Sequence, residues 1–343
     1  MVALAMAEHG LVPDWLVRRG IRRLLRHRLQ QESGRCGSAT QDMRTFAEEL
    51  RSSPIAIETD SANEQHYEVP AAFYERVLGP RLKYSCGYWP SSETKLAESE
   101  DLMLDITCRR AELEDGMDVL DLGCGWGSLS LWIAEHYPKC HITAVSNSNS
   151  QRRFIEARCH ALGLQNVRVR TCNIAELTLH QQFDRVVSVE MFEHVRNYQL
   201  LLRKIRSWLK DDGKLFVHIF CHREMAYAFE DRGSSDWMSR HFFTGGIMPA
   251  EHLFSYFQDD VQLEEQWRVS GLHYAQTCEA WLQNLDRNAP QLLETLEHST
   301  SDTRPEIQLR RWRMFFMACA ELFRYHNGNE WFVGHYRFGK RMN

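Results

Sequence analysis

Two stretches of this chain carry residue types at spacings that suit chemistry. The first is Val119-Leu120-Asp121-Leu122-Gly123-Cys124-Gly125-Trp126-Gly127, followed by a helical pattern from Ser128 to Tyr137. An apolar strand that breaks into glycines at 123, 125 and 127 lets the backbone take positive φ and approach a ligand closely. The spacing differs from a G-x-G-x-x-G dinucleotide fingerprint, since the third glycine comes one residue early, and no G-x-x-x-x-G-K-[ST] phosphate loop is present. An ordinary strand-to-helix turn is the plain alternative, and this run is glycine-dense for that. The second stretch is Ser188-Val189-Glu190-Met191-Phe192-Glu193-His194-Val195. Glu190, Glu193 and His194 follow an apolar strand pattern, where ionisable groups need a reason. A carboxylate attracts a cation, and an imidazole, titrating near ~6.5, takes its proton. Capping of the helix that follows is the alternative for Glu193 and His194; it suits Glu193 as well as chemistry does, while for Glu190 and His194 function is the better reading.

The elements that must position these residues alternate. Strand candidates are 117–122, 141–146, 167–172, 184–190 and 213–220, with helices at 127–137, 149–162 and 198–210 between them. Such alternation implies an α/β fold with a doubly wound parallel sheet and ligands at the carboxyl ends of its strands. The glycine loop lies at one such end. Residues 221–256 read as an irregular aromatic cover. Further strands are expected at 262–274 and 330–338, with helices at 277–286 and about 306–326. The chain divides into an N-terminal helical and cover segment (1–110), a ligand-binding core (111–220) and a last segment (221–343) that adds cover and completes the sheet. Within the first segment, residues 14–31 form an amphipathic helix in which Trp15, Ile21, Leu24, Leu25 and Leu29 share a face, with arginines at 18, 19, 22, 23, 26 and 28. That helix suits packing on the core with a solvated basic face better than membrane-surface binding, because Gly20 and a narrow stripe weaken an anchor. A loop is expected at 32–44 and a helix from Thr45 to Ser52.

Composition bounds the function. The 343 residues are 43% hydrophobic and 25% charged, an ordinary globular balance. A formal net charge of −5 argues against nucleic acid as the partner. No apolar run approaches the ~18 residues of a membrane span, so stable membrane insertion is not expected. The cysteines are scattered without a C-x-x-C pair, which points to reduced thiols, no metal site and a cytoplasmic setting. A homodimer is left open.

The Asp-x-Gly-x-Gly-x-Gly loop resembles motif I of class I S-adenosylmethionine (SAM) methyltransferases. Together with Lys83-Tyr84-Ser85-Cys86-Gly87-Tyr88-Trp89 and the Glu190 segment, it resembles the cyclopropane-fatty-acid synthase superfamily. The likeness narrows with Glu64-Gln65-His66-Tyr67-Glu68-Val69-Pro70, His218-Ile219-Phe220-Cys221-His222, His241-Phe242-Phe243-Thr244-Gly245-Gly246 and Tyr256-Phe257-Gln258-Asp259-Asp260. These look like the coclaurine N-methyltransferase branch. The resemblance implies a Rossmann-like class I methyltransferase fold, with SAM as cofactor and a small amine, aromatic or heterocyclic, as substrate. It implies that backbone at Gly123, Gly125 and Gly127 meets the methionine end of SAM and that Tyr84 and Ser85 close over it. Asn147 and Gln151 would hold the ribose, and Asn173 and Ile174 would flank adenine; loop capping is the alternative for both asparagines. Glu190, Glu193 and His194 become the catalytic set. Tyr227, Phe229, Trp237, His241, Phe242 and Tyr274 become the substrate wall. Lipid cyclopropane synthases resemble this chain too, but have glycine at position 190 and hold a bicarbonate base; Cys86, Glu193, His218 and Tyr274 match that ion's ligands. The extra carboxylate at 190 repels an anion and attracts an ammonium, which favours the amine reading. A SAM-binding protein without turnover is a third reading, disfavoured by the intact acid–histidine set.

Overall fold

A computed structural model describes residues 2–35, 39–57, 69–230, 233, 236–298 and 303–341, with side chains at 2–3, 33–35 and 39–41 excluded. The Glu64–Glu68 part of the quoted motif therefore lies outside the described residues. The helices before the sheet are α1 (Val2–Glu8), α2 (Asp14–Arg35), α3 (Ala39–Ser52), α4 (Ala71–Val77) and α5 (Leu96–Arg110). The alternating part follows: β1 (Asp118–Leu122), α6 (Ser128–His136), β2 (His141–Ser146), α7 (Asn149–Leu162), β3 (Val167–Thr171), β4 (Phe183–Val189), α8 (Tyr198–Trp208) and β5 (Leu209–His222). The last part holds β6 (Tyr227–Ala228), α9 (Trp237–Phe242), β7 (Ile247–Met248), β8 (Val261–Val269), α10 (Gly271–Arg287), α11 (Ala289–Glu297), α12 (Pro305–Arg324) and β9 (Trp331–Lys340).

Seven strands form one sheet in the order β3-β2-β1-β4-β5-β9-β8. The first five run parallel, while β9 is antiparallel to both β5 and β8. The chain reverses its direction of winding between β1 and β4, the crevice where such sheets bind ligands. This is the Rossmann-like sheet the alternation implies. The β5–β9 register places His218 opposite His335, a pairing that no local pattern gives.

Several boundaries move, each for a physical reason. The loop expected at 32–44 is helical on both sides of residues 36–38. The Arg28–Glu32 ion pair, one turn apart, carries α2 past the polar stretch. The partly buried row on α2 is Val17, Ile21, Leu25 and Leu29, packed against the core, whereas Trp15 and Leu24 are exposed. Four-residue steps keep those side chains in one line. Arg18 pairs with Glu279 and Glu321, and Arg28 with Asp236, so much of the basic face is clamped to the body. The strand expected to reach 274 ends at Val269. Ser270 caps α10 instead, accepting from the Leu272 amide, and Gly271 admits a backbone approach: a Cβ there would lie 2.2 Å from the Trp331 carbonyl oxygen. Helices α4, α5, α9 and α11 fall where no regular element was expected; α5 and α9 mix buried polar residues with apolar ones, which blurs the period.

Candidate active site

The glycine loop is shaped by close packing at two positions and by open space at the third. Gly123, Gly125 and Gly127 have φ of 88°, 52° and 83°. A Cβ on Gly123 would lie 2.7 Å from Met191 Cγ, and one on Gly127 2.7 Å from Ile155 Cγ1. At Gly125 nothing among the described residues lies within 4 Å. The loop is tied at both sides. The Gly123 and Cys124 amides donate to the Val145 carbonyl, and Ser130 Oγ donates to Asp121 Oδ2 at 2.6 Å. Burial pushes the Asp121 carboxyl up to about 6, against its hydrogen bonds from Ser130. Asp121 therefore braces strand to helix and does not face a ligand.

A cavity opens from this loop across the carboxyl ends of β1, β2 and β4. Its walls include Gly123, Gly125, Asn147, Gln151, Asn173 and Ile174 on one side. Glu190, Met191, His194, Thr244 and Gly245 stand on the other. Ser148 caps α7 and thereby places Gln151, whose Oε1 accepts from Ser146 Oγ. Asn173 both lines the cavity and accepts from the Ala175 amide, so the two readings of its role coexist.

Glu190 sits just past β4 in left-handed backbone, φ 49°, with its amide donating to the His218 carbonyl at 2.8 Å. A non-glycine residue held this way stores strain on the order of 1–3 kcal/mol, a pattern typical of functional positions. The side chain collects donors. Oε1 accepts from the Cys86 amide at 3.1 Å and faces His218 Nε2 at 3.2 Å, while Tyr274 donates its hydroxyl to Oε2. Burial pushes the Glu190 carboxyl up to about 7, opposed by the Tyr274 hydrogen bond, the Lys83 ammonium and the Cys86 amide. Lys83 is itself buried and lowered by that burial, with the charges of Glu190, Cys86 and Glu100 working the other way.

Glu193 differs. Its side chain is fully buried, Oε1 accepts from the Phe220 amide at 3.3 Å, and Oε2 has no hydrogen-bond partner among the described residues. Burial, then the Glu190 charge, raise it well above the usual carboxylate range, and it lies behind the cavity wall. His194 is half-buried on the wall, its ring stacked on Phe243 at 5.2 Å.

The remaining expected site residues are spread more widely. Tyr84 packs among Tyr74, Trp281 and Trp312, and Ser85 is buried against the Lys83 ammonium. Neither they nor Gly127 lie on the walls of the described cavity. Tyr227 accepts from Trp331 Nε1 and lies under Arg28, while Phe229 bridges it to Phe243. Trp237 donates to Glu8 of α1 and packs against His241, and Phe242 stacks on Phe315 of α12. These rings tie the cover to the N-terminal and C-terminal helices. Tyr274, in contrast, reaches Glu190 directly. Sequence reasoning missed Met191, Thr244, Gly245 and the buried Lys83. The last two members of His241–Gly246 carried a usable signal, a paired glycine in an aromatic run; Lys83 stood in the quoted Lys83–Trp89 motif, but nothing local marked it as buried beside a carboxylate.

The open position at Gly125, the amides of Asn147 and Gln151 and the mixed polar and apolar wall fit SAM, whose methionine end needs backbone contact and whose ribose needs hydroxyl partners. The sheet order, glycine loop and cavity define a class I SAM-dependent methyltransferase. The chain belongs to the mycolic acid cyclopropane synthetase family, whose sequence model matches residues 56–331. It is 39% identical over 346 residues to (S)-coclaurine N-methyltransferase of Thalictrum flavum subsp. glaucum, covering 98% of this chain and 95% of that protein. The cyclopropane-fatty-acyl-phospholipid synthase of Escherichia coli K12 is 28% identical over 275 residues, covering 78% of this chain and 66% of that protein. The crystal structure of a coclaurine N-methyltransferase bound to N-methylheliamine and SAH superposes with a TM-score of 0.93 at 38% identity, covering 98% of this chain and 99% of that one.

Proposed function

We propose that this SAM-dependent N-methyltransferase acts on a small aromatic or heterocyclic amine. The observation that carries this reading is the placement of the Glu190 carboxylate. The Cys86 amide, His218 Nε2 and the Tyr274 hydroxyl all converge on it. Those residues are the ones a bicarbonate-using lipid enzyme would turn on its anion. Here a covalently attached carboxylate has their hydrogen bonds, which leaves a second anion repelled and an ammonium attracted. The full-length likeness to (S)-coclaurine N-methyltransferase supports the same choice. No described helix is long and apolar enough to cross a membrane.

SAM supplies a methyl group on a sulfonium, already a good leaving group. The protein's share is to bind, orient and deprotonate. Glu190 attracts the substrate ammonium, and His194, four residues on and lining the same cavity, accepts its proton so that the nitrogen lone pair is free. Thr244 and Gly245 line that side, and the Phe243 ring stacks on His194. Glu193 keeps the Phe220 end of β5 in place from behind. The scattered thiols favour a cytoplasmic setting.

The test is a mass-spectrometric screen of primary, secondary and tertiary amines with SAM, run beside unsaturated phospholipid vesicles with bicarbonate. Methyl gain on aromatic or heterocyclic amines is the expected result. Modification of vesicles with no amine in the panel methylated would overturn the proposal.

A further inference from the structure

Behind Glu190 a line of polar side chains runs through the sheet. His218 Nε2 faces Glu190 Oε1 at 3.2 Å, His218 Nδ1 faces His335 Nε2 at 2.9 Å, and His335 Nδ1 faces Arg110 Nη1 at 2.7 Å. Both histidines are fully buried, and the β5–β9 register sets them side by side with rings 4.6 Å apart. Arg110 ends α5, half-buried, with its guanidinium over the Trp267 ring at 5.0 Å.

Donor direction along this line is determined by its far end. A guanidinium has only donors, so His335 Nδ1 must accept. A neutral imidazole carries one proton, which must then sit on His335 Nε2 and point at His218 Nδ1. The same count puts the His218 proton on Nε2, pointing at Glu190. Burial keeps both rings neutral by lowering them well below the usual histidine range. We propose that Arg110 and His335 are positioning residues of the methyl-transfer site, holding His218 as the tautomer that donates to Glu190 and so keeping Glu190 an acceptor. Without the guanidinium the two rings can reverse together. His218 would then donate from Nδ1 to His335 and present a bare Nε2 to Glu190, which favours a protonated carboxyl with no attraction for an ammonium.

Other charges and titratable groups also face Glu190. Lys83, Tyr84 and Cys86 come from the segment before α5, Tyr274 and Cys278 from α10, and Glu193 from the turn after β4. None of them makes a hydrogen bond with Arg110 or His335 among those described. An Arg110 variant therefore changes the line while leaving the other direct donors in place.

The inference rests on the amine reading for its meaning in turnover, but its first measurement needs no substrate. In protein labelled with ¹⁵N-histidine, long-range proton–nitrogen spectra are expected to show His218 and His335 as Nε2–H tautomers. Arg110→Met should shift His335 toward the Nδ1–H form. In the pH profile of amine methylation, the acid limb in Arg110→Met should move up by about one pH unit, with activity recovering at alkaline pH, as loss of one hydrogen bond to a charged group requires. Arg110→Lys, which retains a donor, should restore the profile. A wild-type His335 protonated on Nδ1 overturns the proposal, as does an Arg110→Met acid limb that stays in place. If no amine is methylated, the amine reading fails while the tautomers are still decided by the spectra.

Discussion

The two halves of the cavity are built differently. On the side assigned to the cofactor, the wall is largely backbone: a glycine loop whose residues are adjacent in sequence, next to the capped start of α7. On the acceptor side, Glu190 stands on the wall as a side chain, and the groups that hold it come from three other places, the segment before α5, β5 and α10. The first half needs only short-range geometry. The second depends on sheet register and on burial, which moves the protonation of its groups. The difference teaches that binding of SAM and reaction with the amine can be broken separately.

The largest separation is expected at Glu190. Glu190→Gln keeps the shape and the donors around it but removes the charge, so turnover should fall about a thousandfold, within the range for a lost acid–base or charge partner. SAM affinity by calorimetry should stay near wild type. A parallel loss of SAM affinity would erase the distinction between the halves.

Gly125→Val should give the opposite pattern. The side chain meets no protein atom, so the fold should survive, but φ 52° disfavours it and the branch projects into the cavity. SAM affinity should fall about a hundredfold with the circular-dichroism spectrum intact, an effect of about 3 kcal/mol. Gly127→Val is the control, because its Cβ would strike Ile155 and should lower the melting temperature as well. Equal SAM affinity in wild type and Gly125→Val would move the cofactor site elsewhere.

His194→Ala is expected to lower kcat about tenfold to a hundredfold, with the loss smaller at alkaline pH, where the free amine arises without help. A loss independent of pH would assign His194 to packing against Phe243 alone.

The smallest effect is on stability. Folding raises the Glu190 carboxyl from 4.5 to about 7, so the folded state binds more protons between those values than the unfolded one. The carboxyl's contribution to stability is therefore fully present below about 4.5 and is lost as pH rises to about 7. Activity that needs the carboxylate rises through the upper part of the same window. Relative to wild type, Glu190→Gln should gain denaturation midpoint as pH increases across it, then level off. Comparing the two proteins at each pH cancels the opposing contribution of His218 and His335, which are buried neutral. A constant difference would mean that Glu190 is not held up by burial.

How much of this was legible in the sequence follows from the same division. The glycine loop, the alternation of strands and helices, and Asn147, Gln151, Asn173 and Ile174 could be placed because each depends on neighbours within one strand–loop–helix unit. Glu190 and His194 were legible as charge after an apolar strand. The partners of Glu190 were present in the family pattern at Cys86, His218 and Tyr274, but the object on which they converge was not. His335 and Arg110 gave no sequence signal. One is a histidine in a strand and the other an arginine at a helix end, and only antiparallel register brings them to His218. The aromatic cover is ambiguous for a different reason: Trp237 and Phe242 look alike in sequence as substrate wall or as packing, and the structure shows their contacts with Glu8 and Phe315.

The left-handed backbone at residue 190 bears on what the turn tolerates in place of the carboxylate. A conformation that glycine occupies freely and other residues occupy at a cost means that the carboxylate is an addition to a turn which does not need it. Removing it leaves the Cys86 amide, His218 and Tyr274 around a vacated anion-sized space. Small carboxylates are therefore natural candidates for chemical rescue of a Glu190→Gly protein.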